Sequence, residues 1–528
     1  IEEFHRDDSA APAFDKMLQR VYHGLDNSIF LIDTTPAPIV HIEDIHAYNL
    51  AEGLALSPEE EQYLTGLSER LGRPLTDSEV FGFSQVNSEH CRHKIFNGTF
   101  VIDGEEKPSS LFKLIKKTSQ EHPGKLVSAY KDNVAFVDGP VIDQFAPVNP
   151  ERPDFFEVRP IESVLSLKAE THNFPTTVEP FNGAATGSGG EIRDRLGGGK
   201  ASLPLAGTAV YMTSYPRHQD AVQPWEAMLN PRVWLYQTPA EILIKASNGA
   251  SDFGNKFGQP LICGSLLTFE HDENGRFYAY DKVIMLAGGV GFASKRDALK
   301  GHPSAGEKVI VMGGDNYRIG MGGGAVSSVA TGQYDNSIEL NAVQRANPEM
   351  QKRVANVIRA LAESTDNPIV SIHDHGAGGH LNALSELVEE TGGRIDIAAL
   401  PVGDPTLSSK EIVGNESQER MGMVMHEKDI DRVRAIAERE RAPFYVVGET
   451  TGDDRFVFAQ ADGVCPIDLG MKDMFGSSPK TIMTDSTVSL SYNDAEISHE
   501  HIDEYVYRVL GLEAVGCKDW LTNKVDRS

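Results

Sequence analysis

Apolar residues recur at helical spacing near the start of the chain. In the stretch SPEEEQYLTGLSERLGRP, Tyr63, Leu64, Leu67 and Leu71 fall on one face of an α-helix. This helix is predicted to begin after Ser57, whose hydroxyl suits an N-cap, and to end before GRP, which breaks helices. A second helix is predicted to start at TDSE, a capping-box pattern, and to run into QVNSEHCRHK.

Farther along, the pattern changes to short apolar runs broken by glycine and proline. Between about residues 154 and 295 these runs include SVLSLKAE, LAGTAVYMTS and VIMLAGGVGFAS, which are typical of β-strands. A second block opens with GEKVIVMGGD and combines predicted helices over 349–363 and 429–440 with strands at IVSIHD and APFYVVGE. Strands that alternate with helices predict an α/β (α+β) fold, with a boundary near 298–305 and a tail beyond about residue 467.

Composition narrows the class of protein. The 528 residues suggest about three domains. The net charge of −28 argues against a nucleic-acid partner, which would require a basic face. The four cysteines form no CxxC motif, so a reducing, cytoplasmic location is expected. No apolar run approaches the ~20 residues of a membrane helix, so no membrane partner is expected. Both ends of the sequence suggest a piece of a longer chain.

The stretch KAETHNFP contains several side chains that can bind ligands or transfer protons. Lys168, Glu170 and His172 alternate along a predicted strand and would share one face. Such a face suits a phosphate and metal site, with Lys for phosphate, Glu for Mg²⁺ and His for proton transfer. The alternative is the exposed polar face of an edge strand.

A glycine-rich run, FNGAATGSGGEIRD, follows this strand. It lacks the lysine of a phosphate-binding P-loop, but the backbone N–H groups of a glycine-rich loop can bind an anion. Asp194 is a candidate magnesium ligand and Arg193 a candidate phosphate clamp. The alternative is a flexible surface loop. The next stretch, RLGGGK, would extend the mobile region as a lid.

Four further motifs carry candidate chemistry. NSEHC places His90 beside Glu89 and Cys91, which suggests either an active site or a polar helix end. In HDHGAGG, Asp374 suits magnesium or a helix cap, whereas the two flanking histidines would suit zinc. NESQER suits a sugar or phosphate contact, or a polar turn. MGGGAVSS suits a phosphate-binding turn or close packing.

Taken together, these motifs resemble the family of large, single-chain phosphoribosylformylglycinamidine synthases. The resemblance rests on collinear stretches from about residue 55 to the C-terminus: FSQVNSEHCRHKIFNG, KAETHNFPTTVEPFNGAATGSGGEIRD, IMLAGGVG, GMGGGAVSS, VQRANPEM, HDHGAGG and NESQER. The fold it implies is a helical linker followed by an aminoimidazole-ribonucleotide-synthetase-like unit with an N-terminal and a C-terminal α/β domain.

The resemblance also implies domain boundaries. The expected divisions are the end of a preceding domain or linker at 1–54, a helical linker domain at 55–105, a synthetase-like N-terminal domain at 106–300, a synthetase-like C-terminal domain at 301–466, and a tail at 467–528 that leads to a second core half.

Site residues follow from the same resemblance, position by position. It implies that His90 and His172 are catalytic and that Glu170, Asp194 and Asp374 bind Mg²⁺. The implied substrate contacts are Thr171, His172, Asn173, Phe174, Arg193, Gln344, Glu416, Ser417 and Gln418. The implied nucleotide contacts are His93, Lys168, Gly183, Ala184, Ala185, Thr186, Gly187, Ser188, Gly189, Gly190, Glu191, Ile192, Arg193 and Asp194.

The implied reaction is a ligase step of purine biosynthesis with ATP and Mg²⁺ as cofactors. ATP phosphorylates the amide oxygen of formylglycinamide ribonucleotide, and ammonia released from glutamine displaces the phosphate to give an amidine. A glutaminase domain is the expected source of ammonia. The expected partners are that domain and the second half of the synthetase core, or a second copy of this half. This chain alone is not expected to hydrolyse glutamine.

Two positions depart from short-form relatives, which have histidine where this chain has Phe174 and tyrosine where it has His93. Three alternative functions also stay open at this point. The chain could be another ATP-dependent synthetase of the superfamily, a non-catalytic nucleotide-binding half of the same enzyme, or a hydrolase that binds zinc through His373 and His375.

Overall fold

Capping side chains set the ends of the first helices as the sequence predicts. A computed structural model of the chain describes residues 24, 26–31, 33–217, 223–229, 236–333, 336–416, 419–476 and 479–525. Ser57 and Glu60 form one capping box, and Thr76 and Glu79 form a second. The elements of this region are β1 (His41–Ile42), α1 (Ile45–Glu52), α2 (Pro58–Leu71), β2 (Leu75–Thr76), α3 (Asp77–Val86), α4 (Glu89–Arg92), β3 (Thr99–Ile102), β4 (Glu105–Glu106) and α5 (Leu111–Glu121).

The first α/β domain is built on a mostly antiparallel six-stranded sheet, ordered β5-β6-β7-β12-β8-β9. Helices α6, α7 and α8 pack on one face of this sheet. Its elements are β5 (Leu126–Ser128), β6 (Ala135–Pro147), β7 (Phe156–Thr171), α6 (Asn173–Val178), α7 (Pro180–Leu196), β8 (Leu203–Thr213), α8 (Pro239–Phe257), β9 (Leu261–Thr268), β10 (Glu270–Glu273), β11 (Arg276–Ala279) and β12 (Ile284–Ser294).

The second α/β domain has a seven-stranded sheet, ordered β14-β16-β13-β17-β15-β18-β19. Both helices and both strands predicted from the pattern are present within one or two residues of their expected ends. Its elements are β13 (Lys308–Met312), α9 (Gly323–Ser327), α10 (Asn336–Asn341), α11 (Pro348–Ala362), β14 (Ile369–Asp374), α12 (Gly379–Leu387), β15 (Gly393–Asp396), α13 (Ser409–Gly414), β16 (Met421–Met425), α14 (Ile430–Glu440), β17 (Phe444–Thr450), β18 (Arg455–Ala459) and β19 (Ile467–Gly470).

The tail returns to the earlier regions of the chain. Its elements are β20 (Ile482–Asp485), α15 (Ile502–Gly511) and α16 (Asp519–Thr522). Strand β20 pairs in parallel with β3, and Leu521 is buried in the core of the first α/β domain. Within the described ranges, no helix is both long and apolar enough to cross a membrane.

Two apolar cores hold the regions together. Leu67 of α2 and Phe83 of α3 share a core with Val424 and Phe456 of the second domain, so the helical region packs on that domain. A different core combines Ile192 and Leu196 of α7 with residues of α11, α14 and β16. Helix α7, together with Phe253 and Phe257 of α8, therefore packs against the second α/β domain.

The glycines of RLGGGK serve close packing at this junction, and the predicted lid is wrong. Residues 196–199 are buried. Gly199 has a φ of +60°, and a Cβ there would lie 2.1 Å from the Asp297 carbonyl oxygen. Since neither the φ nor the space suits a side chain, the segment is held in place by its packing.

Replacing Gly199 by alanine should lower the free energy of unfolding by about 2–4 kcal/mol, because the new methyl group is strained and overpacked. Urea denaturation measures this loss. The control is Gly66→Ala in α2, where a Cβ meets no atom within 4 Å and alanine should stabilise the helix by roughly 0.5–1 kcal/mol. Equal effects of the two substitutions would contradict the packing role.

Candidate functional site

Lys168 and Glu170 share one face of β7 and point toward α7. The Lys168 Nζ atom lies 2.9 Å from Asp194 Oδ2 and 3.6 Å from Glu170 Oε2. Strand β7 pairs with β6 on one side and β12 on the other. It is therefore an internal strand, and the alternative of an exposed edge strand is wrong. The charged face is part of a partly buried cluster.

The run from Gly183 to Asp194 is helix, not loop. It lies inside α7, where backbone N–H groups are used by the helix itself, so the predicted anion-binding loop is wrong. The glycines instead allow close approach of neighbouring elements. A Cβ at Gly183 would lie 2.4 Å from the Pro175 carbonyl carbon, and one at Gly190 would lie 2.3 Å from Glu170 Oε1. A glycine-rich composition misled the prediction because tertiary packing outweighed helix propensity.

Only part of this helix faces the cluster. Asp194 contacts Lys168, and Arg193 is buried with its Nε atom 3.7 Å from Asp374 Oδ2. The Glu191 side chain is engaged elsewhere, with Arg195 and Gln259. The remaining members of the run, Gly183, Ala184, Ala185, Thr186, Gly187, Ser188, Gly189, Gly190 and Ile192, are buried within α7.

Asp374 joins the cluster from the second domain. It lies at the end of β14, and its Oδ1 atom accepts a hydrogen bond of 2.7 Å from Asn133 Nδ2. The same Asn133 nitrogen donates to Asp194 Oδ1 at 3.0 Å. The three predicted metal-binding acids are thus brought together where the domains meet. Sequence reasoning missed Asn133, whose only signal was a polar Asp-Asn pair before an apolar run.

The electrostatics of the cluster are dominated by its acids. Burial would lower the pKa of Lys168, but Asp194 and Glu170 raise it above its ordinary value. Burial opposes ionisation of Asp194, yet Lys168 brings its pKa down to about 2. Burial and the charge of Asp194 raise the pKa of Glu170 well above its usual range and that of Asp374 to about 6. Two cations, Lys168 and Arg193, thus lie among the three acids of the cluster.

The donor set is chemically suited to magnesium, which prefers carboxylate oxygens. In the part of the chain that the structure describes, however, no three acidic, histidine or cysteine side chains lie close enough to share one metal ion. The Lys168 ammonium lies between Glu170 and Asp194 and supplies the positive charge there. To hold one metal ion together, Glu170, Asp194 and Asp374 would therefore have to rearrange.

The two histidines expected to be catalytic lie near each other. His172 follows β7, and its Nδ1 atom is 2.6 Å from the Gly183 carbonyl oxygen. Burial lowers the pKa of His172 to about 4, with a further contribution from His90 and Arg193. His90 in α4 is an exposed residue, but desolvation of its ring by nearby protein atoms and the charge of Lys168 both lower its pKa. Both rings are therefore neutral at neutral pH.

His93, the predicted nucleotide neighbour, ends α4 in the left-handed conformation with φ of 51°. Its ring stacks on Phe112 with a centroid distance of 5.9 Å. The histidines of HDHGAGG do not converge on a shared metal. His373 pairs with Glu386, whereas His375 Nε2 lies 3.0 Å from His380 Nδ1. The zinc alternative therefore has no support in this geometry.

Glu416 connects the glycine-rich turns of the second domain. Its carboxylate accepts hydrogen bonds from Gln344 Nε2 at 2.5 Å and from the Gly378 backbone N–H at 3.0 Å. Burial raises the pKa of Glu416 to about 7, although these donors act in the opposite direction. The predicted substrate contacts Gln344 and Glu416 are thus adjacent. Ser417 and Gln418, which were predicted with them, lie outside the described residues.

Three further predicted substrate contacts are neighbours of His172 in the sequence. Thr171 is exposed at the end of β7, and Asn173 Oδ1 accepts a bond of 3.1 Å from the Met285 backbone N–H. Phe174 is buried in a small core with Val178 and Val326.

The charge state of Glu416 predicts a pH-dependent stability. Its folded-state pKa of about 7 lies above the ordinary value of 4.5. The resulting stabilisation is present below the pKa of the unfolded state and is lost as the pH rises through the pKa of the folded state. The free energy of unfolding of the wild type relative to Glu416→Gln should therefore fall by up to about 3 kcal/mol from about pH 5 to about pH 8.

Urea denaturation across this pH range measures the difference. Glu438→Gln, at an exposed position of α14, is the matched control and should show no such trend. A pH-independent difference between the wild type and Glu416→Gln would contradict the buried, proton-binding state of Glu416.

Comparison with known proteins gives this arrangement its class. Residues 304–459 match the AIR synthase related protein, C-terminal domain, and residues 45–94 match the formylglycinamide ribonucleotide amidotransferase linker domain. The fold resembles two Thermotoga maritima structures. "T. maritima PurL complexed with FGAR" has a TM-score of 0.57 and 23% identity over 83% of this chain and 58% of that chain. "T. maritima PurL complexed with ATP" has a TM-score of 0.53 and 21% identity over 83% and 57%. These matches define the class of protein: a helical linker followed by an AIR-synthase-like unit of two domains.

The sequence comparison identifies a relative along nearly the whole chain. The chain is 39% identical over 550 aligned residues to the Schizosaccharomyces pombe phosphoribosylformylglycinamidine synthase. The alignment covers 98% of this chain and 41% of that relative. Over nearly its whole length the chain is therefore similar to part of a phosphoribosylformylglycinamidine synthase, and the resemblance seen in its motifs is confirmed. It spans about two fifths of the length of this relative.

Proposed function

We propose that this chain carries the synthetase site for the ATP-dependent conversion of formylglycinamide ribonucleotide and ammonia to formylglycinamidine ribonucleotide. The observation that carries the proposal is the acidic cluster around Lys168, which lies where the two α/β domains meet and close to two neutral histidines. The name of the S. pombe relative and the FGAR and ATP bound to the T. maritima proteins support it.

Lys168 is proposed to bind the phosphates of ATP. Its ammonium is held by Asp194 in a partly buried position, so it is oriented before a nucleotide arrives. A phosphate oxygen can replace the Asp194 carboxylate as its partner, since both are charged acceptors. His93, together with Arg193 and Asp194 at the end of α7 that faces the cluster, is proposed to complete the nucleotide site.

Glu170, Asp194 and Asp374 are proposed to hold magnesium. Burial and the charge of Asp194 raise the pKa values of Glu170 and Asp374, and a bound cation would favour the ionised form of both carboxyl groups. A bound magnesium ion would offset the charge of the triphosphate during phosphoryl transfer. The movement of Lys168 from Asp194 onto a phosphate would free the Asp194 carboxylate for the ion.

His172 is proposed to accept a proton during the attack of ammonia. Its Nδ1 atom faces the Gly183 carbonyl oxygen, which can only accept a hydrogen bond, so Nδ1 carries the proton. The Nε2 atom therefore keeps its lone pair. A pKa of about 4 keeps this atom unprotonated at neutral pH. His90 is the second neutral imidazole at the site and is proposed to act on the same amide or ammonia.

The substrate ribonucleotide is proposed to lie between the two domains. Residues 171–174 and Arg193 would contact it from the first domain. Gln344, Glu416 and the adjoining Ser417 and Gln418 would contact it from the second. Phosphorylation of the amide oxygen converts it into a good leaving group, and displacement by ammonia releases phosphate and leaves the amidine.

The ammonia is proposed to come from a glutaminase domain that acts on glutamine, as in a glutamine amidotransferase. We also place this reaction in the cytoplasm. All four cysteines are free, which suits a reducing compartment.

A second half of the synthetase core, or a second copy of this chain, is the proposed partner. The face of the six-stranded sheet opposite α7 and α8 carries several apolar side chains. Leu167, Val290 and Val210 alternate with residues whose side chains face the helices. Leu167 is 42% exposed. An apolar sheet face of this kind is typical of a protein–protein interface.

Loss of either imidazole should abolish synthesis. His90→Ala and His172→Ala in the natural protein that carries this chain should each reduce kcat by about 100-fold or more, since each removes a proton-transfer group. Their thermal unfolding midpoints should stay close to the wild type. Steady-state release of phosphate with ammonia as the donor measures the effect.

His122→Ala is the control for these variants, because His122 is exposed at the end of α5, and it should retain full activity. Wild-type turnover by His90→Ala or His172→Ala would remove that residue from the mechanism.

The apolar sheet face predicts that the chain self-associates when purified alone. Leu167→Glu should shift it toward the monomer, because a charge in an apolar interface is costly to bury. Light scattering over a range of concentrations measures the mass. Leu50→Glu, at a leucine of α1 that is 70% exposed, is the control and should leave the mass unchanged. A monomeric wild type at all concentrations would contradict the interface.

A further inference from the structure

A short polar segment before β6 lies against the C-terminal end of α7. Asp132 Oδ2 accepts a hydrogen bond of 2.6 Å from the Gly199 backbone N–H, and Asp132 Oδ1 lies 2.6 Å from Lys300 Nζ. The next residue, Asn133, places its amide nitrogen against Asp194 and Asp374. The segment therefore fixes the position of Asn133 from one side.

The RLGGGK motif explains how this segment comes so close to α7. A Cβ at Gly198 would lie 2.5 Å from Val134 Cγ2, and one at Gly197 would lie 3.6 Å from Asn133 Nδ2. A side chain at Gly198 would push Val134 away from the end of the helix, whereas a Cβ at Gly197 would make only ordinary contact with Asn133. Gly198 thus provides the space for the residue that directly follows Asn133.

The two carboxylates that Asn133 contacts belong to different domains. Asp194 lies on α7 of the first domain, and Asp374 ends β14 of the second. One amide NH₂ group has two hydrogens, and the geometry assigns one to each acid. Asn133 is neutral, so it joins the acids without changing their total charge. An aspartate would have the same shape but would add a further negative charge.

We propose that Asn133 is a positioning residue, whose amide sets the separation of Asp194 and Asp374 across the domain junction so that both can serve one bound nucleotide. This inference rests on the proposed function, because that function makes the two acids part of the nucleotide site. It also requires that Asn133 affects nucleotide binding more than it affects folding.

Asn367 provides a matched control for an asparagine at the same junction. Its Nδ2 atom donates to the Lys200 carbonyl oxygen at 2.8 Å, and its Oδ1 atom accepts from the Ile369 backbone N–H. It therefore links the segment before β14 to the end of α7 without contacting either acid of the site. A variant at Asn367 loses a junction contact but leaves Asp194 and Asp374 with their own partners.

The test compares Asn133→Ala, Asn133→Asp and Asn367→Ala in the natural protein that carries this chain. Calorimetry gives the Kd of ATP with magnesium, steady-state kinetics separate KM from kcat, and a thermal scan reports folding. Both Asn133 variants should raise the Kd of ATP by about tenfold or more, since each removes hydrogen bonds to charged groups. The effect should be larger for Asn133→Asp, because it adds a carboxylate. Asn367→Ala should bind ATP as the wild type does.

Thermal midpoints of Asn133→Ala and Asn367→Ala should be similar, which separates positioning from folding. ATP affinity unchanged in both Asn133 variants would overturn the inference, and so would an equal loss of affinity in Asn367→Ala. A wild-type protein that binds no ATP would overturn the proposed function and this inference with it, whereas wild-type binding with unaffected Asn133 variants would overturn the inference alone.

Discussion

The ion pair between Lys168 and Asp194 is the interaction around which the site is organised. Its 2.9 Å contact joins the internal strand β7 to helix α7. Partly buried charges are costly unless they are paired, so the strand and the helix must keep their register for the pair to form. Asn133 and Arg193 then connect this pair to Asp374 of the second domain. The contacts of Asn133 and Arg193 thereby couple this ion pair to the second domain.

The apolar packing beneath this cluster explains how such a charged junction is tolerated. Ile192 and Leu196 of α7 share a core with residues of the second domain. Burial of a large aliphatic side chain contributes about 1.5–3 kcal/mol, so a few such residues offset the cost of desolvating the acids. Stability is thus supplied by one face of α7, and the charged residues on its other side are left available for binding.

The sequence predicted some features of this arrangement well and others badly. The capping boxes at Ser57 and Thr76 and the alternation of Lys168 with Glu170 depend on neighbouring residues, so a local pattern identifies them. Glycines occur in α7 because Pro175 and Glu170 approach the helix closely. Without knowledge of those contacts, a glycine-rich run predicts a loop. The family's motifs supplied the residue roles, which no spacing rule could have supplied.

Residues that act through long-range contacts were the hardest to find. Asn133 is 61 residues from Asp194 and 241 residues from Asp374 along the chain. In sequence it is only half of an Asp-Asn pair, a combination common in turns. Its importance follows from the domain junction, which is a property of the tertiary fold.

The most direct test of the account is a crystal structure of this chain with Mn²⁺ and a non-hydrolysable ATP analogue, analysed by anomalous scattering. We expect a manganese peak among Glu170, Asp194 and Asp374, with Lys168 moved from Asp194 onto a phosphate oxygen. A nucleotide bound elsewhere, with Lys168 still paired to Asp194, would contradict it.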